Sequence, residues 1–272
     1  MSTTERAQTL YIQGRTEFES NREAGLQLLT ESASLGNVEA AYLLHSIFFM
    51  IDPYRTDETF LARGMEYLKQ AVDAEYPDAM AQCSLYLANG MFDVPQDLQR
   101  SFKLAQAAAT KGSSMGHVIM ASFYRNGSVV PRNSEKMIAH LEIAAANGDP
   151  LAACCLGDVY AEGMEGVPVD DQRALPYYFY AAQEGYASAQ AGYVRLLLKR
   201  PECTKKDAAV CVDILENLAA EGNDRAMVAL GLECVAGRHV AKDLERAEVL
   251  FLQAEEIGNK QATVELGRLA VE

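Results

Sequence analysis

The sequence predicts an all-α fold made of stacked antiparallel helix pairs. Three observations carry this: a joint motif that recurs at near-constant spacing, small residues placed for close helix contact, and capping residues in register with both. The joint is clearest in YAAQEGYASA, residues 180–189. Its glycine returns as Gly36, Gly112, Gly148, Gly185, Gly222 and Gly258, with Glu75 in the second slot, at spacings of 39, 37, 36, 37, 37 and 36 residues. A fixed period of this size marks an array whose units bury their apolar faces against their neighbours, with no closed core.

Within a unit, the joint glycine suits the left-handed residue that ends a helix. Asn37, Ser113, Asp149, Asn223 and Asn259 follow it in five of seven units and read as N-caps of the next helix. Pro77 and Pro150 stand where a first helical residue needs no N–H. Four residues after the joint comes Ala40, Ala79, Gly116, Ala152, Ala189, Ala226 or Ala262, small enough for close helix contact. Gly90, Gly127, Gly163 and Gly237 end the first helices, short loops such as Val94–Pro95 follow, and Asp97, Asp171, Asp207 and Asp243 are expected to cap the second helices. Short links make the two helices of a unit antiparallel.

In chain order, residues 1–20 read as a truncated first helix, and a second helix is expected from Arg22 to Leu35. The next unit carries Ile51 where a glycine is expected and a longer loop at 52–57, read as drift. Glu75 at a left-handed position should cost about 1 kcal/mol. Pro176, inside an expected second helix, predicts a late helix start or a bend. The run Tyr177, Tyr178, Phe179, Tyr180, with Tyr186 and Tyr193 nearby, reads as packing between repeats. The segment 199–206 (KRPECTKK) is the one basic cluster in an acidic chain. It reads as a solvated loop, with contact to an acidic partner as the other reading. The last helix, Lys260 to about Val271, is expected to act as a cap.

The unit A-x-x-x-L-G-x-x-Y-x-x-G-x-x-V-x-x-D…A…A-A-x-x-G resembles the Sel1-like repeat, a relative of the tetratricopeptide repeat. Ala152–Gly163 (AACCLGDVYAEG) carries that likeness most fully, and it extends over about residues 20–272. The resemblance implies a right-handed α/α superhelix, a solenoid of about seven antiparallel helix pairs plus a C-terminal capping helix. Its first helices would line a concave face. The expected organisation is a single solenoid over 1–272: a capping unit at 1–36, six repeat units at 37–258 and a capping helix at 259–272. The resemblance also implies an adaptor or scaffold role.

The net charge of −14 and pI near 4.8 argue against nucleic acid, whose phosphates need clustered Lys and Arg, and make a basic protein surface the complementary partner. The N-terminal stretch lacks the apolar core of a secretory signal, and no run reaches about 18 apolar residues. A cytoplasmic monomer without membrane attachment is expected. Cys83, Cys154, Cys155, Cys203, Cys211 and Cys234 follow no pairing pattern and read as free thiols. There is no phosphate-binding loop, dinucleotide fingerprint, HExxH, GxSxG or EF-hand spacing. His45 and His117, two units apart, lie too far from each other to share a metal. No cofactor, metal or catalytic residue is expected, and the chain reads as no enzyme. Cysteine-rich members of the resembled family are linked to β-lactam binding, but the regular cysteine pairs are missing here.

On a helical wheel, positions six, ten and thirteen after the joint lie opposite the core positions four, eight and twelve. Tyr42, Ser46, Phe49, Leu85, Ser122, Arg125, Asp158, Arg195 and Leu232 on this face are the candidate partner-binding residues. The face is rich in apolar side chains and mixed in charge, which suits a protein segment. The expected function is a protein-interaction module, a scaffold, adaptor or regulator. An immunity or inhibitor protein against a basic enzyme, and a β-lactam-hydrolysing repeat protein, are the alternatives.

Overall fold

A computed structural model describes residues 2–51 and 58–270. Fifteen helices account for the regular structure of these residues. They are α1 Thr3–Ser20, α2 Arg22–Ser34, α3 Val38–Ile51, α4 Glu58–Asp73, α5 Pro77–Asn89, α6 Leu98–Thr110, α7 Ser114–Asn126, α8 Ser134–Ala146, α9 Pro150–Glu162, α10 Asp171–Gln183, α11 Ala187–Leu198, α12 Lys205–Ala220, α13 Asp224–Ala236, α14 Leu244–Glu256 and α15 Lys260–Leu269. The odd-numbered helices are the first of each pair. The chain divides into two compact units, Met1–Ala144 and Ala145–Glu272, and consecutive helices pack side by side from α1 to α7 and from α9 to α15.

The joints take the form their chemistry dictates. Gly36, Gly112, Gly148, Gly185, Gly222 and Gly258 all adopt φ between 85° and 98°. Asn37, Ser113, Asp149, Asn223 and Asn259 each accept a backbone N–H of the following helix with their side chain. Glu75 takes φ 56° in place of a glycine. Its carboxylate meets Lys111 Nζ at 3.0 Å, an exposed pair of small worth.

Several expectations need correction. The first helix is not truncated: α1 runs for 18 residues, with Ser2 and Glu5 forming a capping box. Asp170 caps α10 in place of Asp171. Thr204 caps α12, and Asp207 serves as the third residue of its capping box. Pro176 does not delay α10, which starts at Asp171 and carries the proline in its interior. A capped first turn with Ala174 fully buried outweighs the hydrogen bond the proline cannot make. The loop read at 52–57 lies outside the described residues.

Packing explains why small residues sit where they do. The alanines four after each joint, from Ala40 to Ala262, are fully buried. Nine after the joint, the first helix meets its own partner helix, and the residue there is matched to what faces it. A Cβ on Gly157 would stand 2.5 Å from the ring of Tyr178, and one on Gly231 would stand 2.4 Å from Phe251. Each glycine is therefore the seat of a fully buried aromatic ring, whose burial stabilises by roughly 1.5–3 kcal/mol. At the same position Ser84 exchanges hydrogen bonds with Ser101 at 2.8–2.9 Å, and His45 donates from Nδ1 to the Gly64 carbonyl at 2.9 Å.

One pair departs from this scheme. The ninth residue after Gly185 is Val194, and four before Gly222 stands Leu218, where the other units hold Ser32, Ala71, Ala108, Ala144, Ala181 and Ala254. Both are buried. The α11–α12 pair accordingly packs less closely than α3–α4, α5–α6, α9–α10 or α13–α14.

Candidate functional site

In the first unit, the expected face carries an aromatic layer. Tyr42 on α3 lies 5.4 Å, ring to ring, from Tyr76 at the α5 joint. His45 lies 4.6 Å from Phe49, and Phe49 stacks on Tyr86 at 5.9 Å. Phe92 meets both Phe49 and Tyr86 edge-on, at 4.8 and 4.5 Å. His45 is buried, and its Nδ1–H goes to a carbonyl. Its Nε2 is therefore left to accept the Tyr86 hydroxyl at 3.2 Å. Burial keeps its pKa below that of a free histidine, so it is a neutral packing element.

Acid borders these rings. Asp78 Oδ1 accepts the Ser113 hydroxyl at 2.7 Å, and its charge acts on both Tyr42 and Tyr76. Burial first, then Asp78 and the neighbouring tyrosines, push the Tyr42 phenol up to about 12. Glu39 and Tyr11 act on Tyr76 in the same sense. Tyr42, Phe49, Ser46, Leu85 and Ser122 are half-buried, and Arg125 is exposed in the last turn of α7. There its charge complements the helix dipole. The Ser46 hydroxyl is turned back onto the Tyr42 carbonyl at 3.2 Å.

The second unit treats its candidates differently. Asp158 on α9 forms a two-pronged pair with Arg225 on α13, Nη2 to Oδ2 at 2.6 Å and Nη1 to Oδ1. It also accepts the Tyr178 hydroxyl at 2.7 Å. Tyr178 is wedged between Gly157 and Gly192, so one buried ring ties α9, α10 and α11 together while the ion pair reaches α13. Burial opposes the Arg225 charge, but Asp158 outweighs it and raises the guanidinium pKa. Burial and Asp158 likewise raise Tyr178. Arg195 lies 4.0 Å from Glu162, and half-buried Leu232 packs on the core of this unit. Asp158 and Arg195 thus bind their own unit.

Sequence reasoning missed Tyr76, Asp78 and Arg225, whereas Tyr178 packs between repeats as expected. The signal for Tyr76 was present, because it takes a slot where five units carry a side-chain cap and itself makes none. It also missed the pairing of His117 with His140, Nδ1 to Nδ1 at 2.9 Å. Burial lowers both pKa values, with Tyr124 stacked on His140. Among the described residues, no group of three or more His, Cys, Asp or Glu is placed to hold a metal, and no helix is long and apolar enough to cross a membrane. Among the described residues no disulfide joins the six cysteines. Burial, reinforced by Asp158, pushes the Cys154 thiol up to about 12, which makes it a packing group with no thiolate at neutral pH.

Several curated relatives align with this chain. An uncharacterized protein of Neisseria meningitidis serogroup B is 29% identical over 170 residues, covering 60% of this chain and 34% of that protein. Chitin synthase regulatory factor 3 of Schizosaccharomyces pombe is 28% identical over 188 residues, 66% of this chain and 20% of that protein. Chitin synthase regulator SKT5 of Saccharomyces cerevisiae is 26% identical over 239 residues, 84% and 33%. The chain therefore spans only about a fifth to a third of these relatives. A Sel1 repeat protein from Oxalobacter formigenes superposes with TM-score 0.68 at 25% identity, covering 91% of this chain and 99% of that one. The c5321 antigen of uropathogenic Escherichia coli, which has the Sel1-like repeat fold, does so with TM-score 0.71 at 21% identity, covering 97% and 56%. The Sel1 repeat profile matches residues 77–113, 114–149, 150–186 and 224–259, more than half of the sequence, and the chain belongs to the Sel1 repeat family.

Proposed function

We propose that this chain is a non-enzymatic protein-interaction module, a scaffold, adaptor or regulator that holds a protein partner on the inner face of its first helices. The observation that carries the reading is the first unit's half-buried layer of Tyr42, Phe49 and Tyr76, bordered by Asp78 and Glu39. Repeat packing explains why Ala79 and Ala152 are small and buried, but it does not call for tyrosines at the edge. Aromatic rings with polar tips are what an interface uses. Their acidic border, on a chain of net charge −14, fits a basic partner surface through cation–π and charge contacts.

A regulatory role is in keeping with the fungal relatives, which are named as chitin synthase regulators. We place the protein in the cytoplasm as a monomer, where a reducing medium suits six cysteines that form no disulfide among the described residues. Affinity capture from the source lysate with wild type and a Tyr42→Ala/Leu85→Ala/Arg125→Ala variant tests the reading. Proteins retained by the wild type should be lost from the variant; an identical set on both would remove this face from the account.

A further inference from the structure

We infer that the acidic tyrosine edge of the first unit is an arginine-binding site: Tyr42 and Tyr76 offer their rings to a guanidinium of the partner protein, and Glu39 and Asp78 supply the carboxylates. The inference rests on the inner-face reading and takes it further, because it names the side chain this edge holds and sets arginine apart from lysine.

Register brings these groups together. Glu39 and Asp78 each stand three residues after a joint, in the first turns of α3 and α5. Tyr76 immediately precedes α5, and Tyr42 follows Glu39 by three residues, one turn along the same helix face. The rings of Tyr42 and Tyr76 lie 5.4 Å apart and are tilted by 48°. Both are half-buried against the core of this unit, as is Tyr11 of α1.

The charge left over at this edge is negative. Asp78 acts on both phenols and Glu39 acts on Tyr76, so the carboxylates stand beside the rings. Glu39 is exposed, Asp78 holds only the uncharged Ser113 hydroxyl, and neither is in an ion pair among the described residues. The cations of the chain itself are engaged elsewhere. Lys111 pairs with Glu75, and His45, stacked on Tyr42 at 6.2 Å, is kept neutral by burial. Arg15 stands over Tyr11 at 5.8 Å, close to the roughly 6 Å limit of such contacts.

The second unit shows the same register filled from within. Arg225, also third after its joint, is gripped by both oxygens of Asp158, which accepts the Tyr178 hydroxyl as well. Arg173 lies 4.0 Å over the ring of Tyr160 and donates to its hydroxyl. In the first unit the third position carries acid in place of arginine, so a guanidinium there comes from another molecule. Its flat, weakly hydrated fork can stack on a ring and bond a carboxylate at once; an ammonium does neither as well.

Fluorescence anisotropy with the whole chain tests this, in about 0.15 M salt to screen long-range attraction. The probe is a labelled Gly-Ser peptide with Arg-Gly-Arg at its centre; the comparison peptides carry lysine or citrulline in place of arginine. The arginine peptide should bind at least about fivefold more tightly than the lysine one and at least about tenfold more tightly than the citrulline one. Glu39→Gln/Asp78→Asn, which keeps an acceptor for Ser113, should weaken the arginine peptide by about tenfold or more. Tyr76→Leu should bring the arginine and lysine peptides level. Glu245→Gln/Glu248→Gln, an equal loss of charge on exposed positions of α14, should leave binding unchanged. No binding of the arginine peptide, equal binding of arginine and lysine by the wild type, or equal losses in the two charge variants overturns the proposal. The isosteric acid changes decide the matter even where Tyr76→Leu disturbs folding. A captured partner that is lost from Tyr42→Ala/Leu85→Ala/Arg125→Ala but kept by Glu39→Gln/Asp78→Asn would refute the arginine site and leave the inner-face reading standing.

Discussion

Tyr178 has two structural duties: its ring fills the space left by Gly157 and Gly192, and its hydroxyl steadies the Asp158 carboxylate that holds Arg225. With both partners of the pair only partly exposed, Asp158→Ala should destabilise the second unit by about 1–3 kcal/mol, after allowance for solvent screening. In a double-mutant cycle with Arg225→Ala, urea unfolding should give a coupling of at least about 1 kcal/mol; additive losses would show the pair to be idle. A second residue-scale prediction concerns pH. Burial lowers the pKa of His45, His117 and His140, whereas in the unfolded chain each takes up a proton near 6.5. The unfolded state then holds more protons just below that pH, so stability is full above it and declines as pH falls from about 6.5. Urea midpoints should drop between pH 7.5 and 5.5, and His117→Asn/His140→Asn should flatten the drop. An equal slope in the variant would refute the assignment. Of these residues, the buried alanines and joint glycines were legible in the sequence, because period and size announce them. The Asp158–Arg225 pair was not, since its partners lie 67 residues apart and no periodic rule links position ten of one unit to position three of another.

At the scale of elements, helix number and order followed from the joints, while individual starts did not. Asp170 and Asp171 are both competent caps, and only backbone geometry decides for the first. Pro176 shows how tertiary contacts override local preference. It sits on the exposed side of α10, while Ala174, Tyr178 and Ala181 hold the helix to its neighbours at full burial. Replacing Pro176 with Ala restores a backbone donor and removes a clash with the preceding turn. The change should stabilise the second unit by about 1–3 kcal/mol, read as a higher urea midpoint; an unchanged or lower midpoint would mean the helix is shaped around its proline. The opened α11–α12 pair had a legible cause in Val194 and Leu218, but the groove it creates could be seen only once the neighbouring side chains were in place.

On the scale of the whole chain, the repeat supplies stability through nearest-neighbour contacts, which leaves function to the positions where repeats differ. Seven joints made the architecture readable. The partner was not readable, because a partner is selected by side chains that packing leaves free to vary. Among those variations is the aromatic and acidic edge of the first unit. The claim that the inner face is the working surface is tested most directly by titrating a purified captured partner, in a calorimeter, against wild type and against Tyr42→Ala/Leu85→Ala/Arg125→Ala. The account predicts affinity weaker by at least tenfold, about 1.4 kcal/mol, with helix content unchanged. An equal dissociation constant for the two proteins would contradict it.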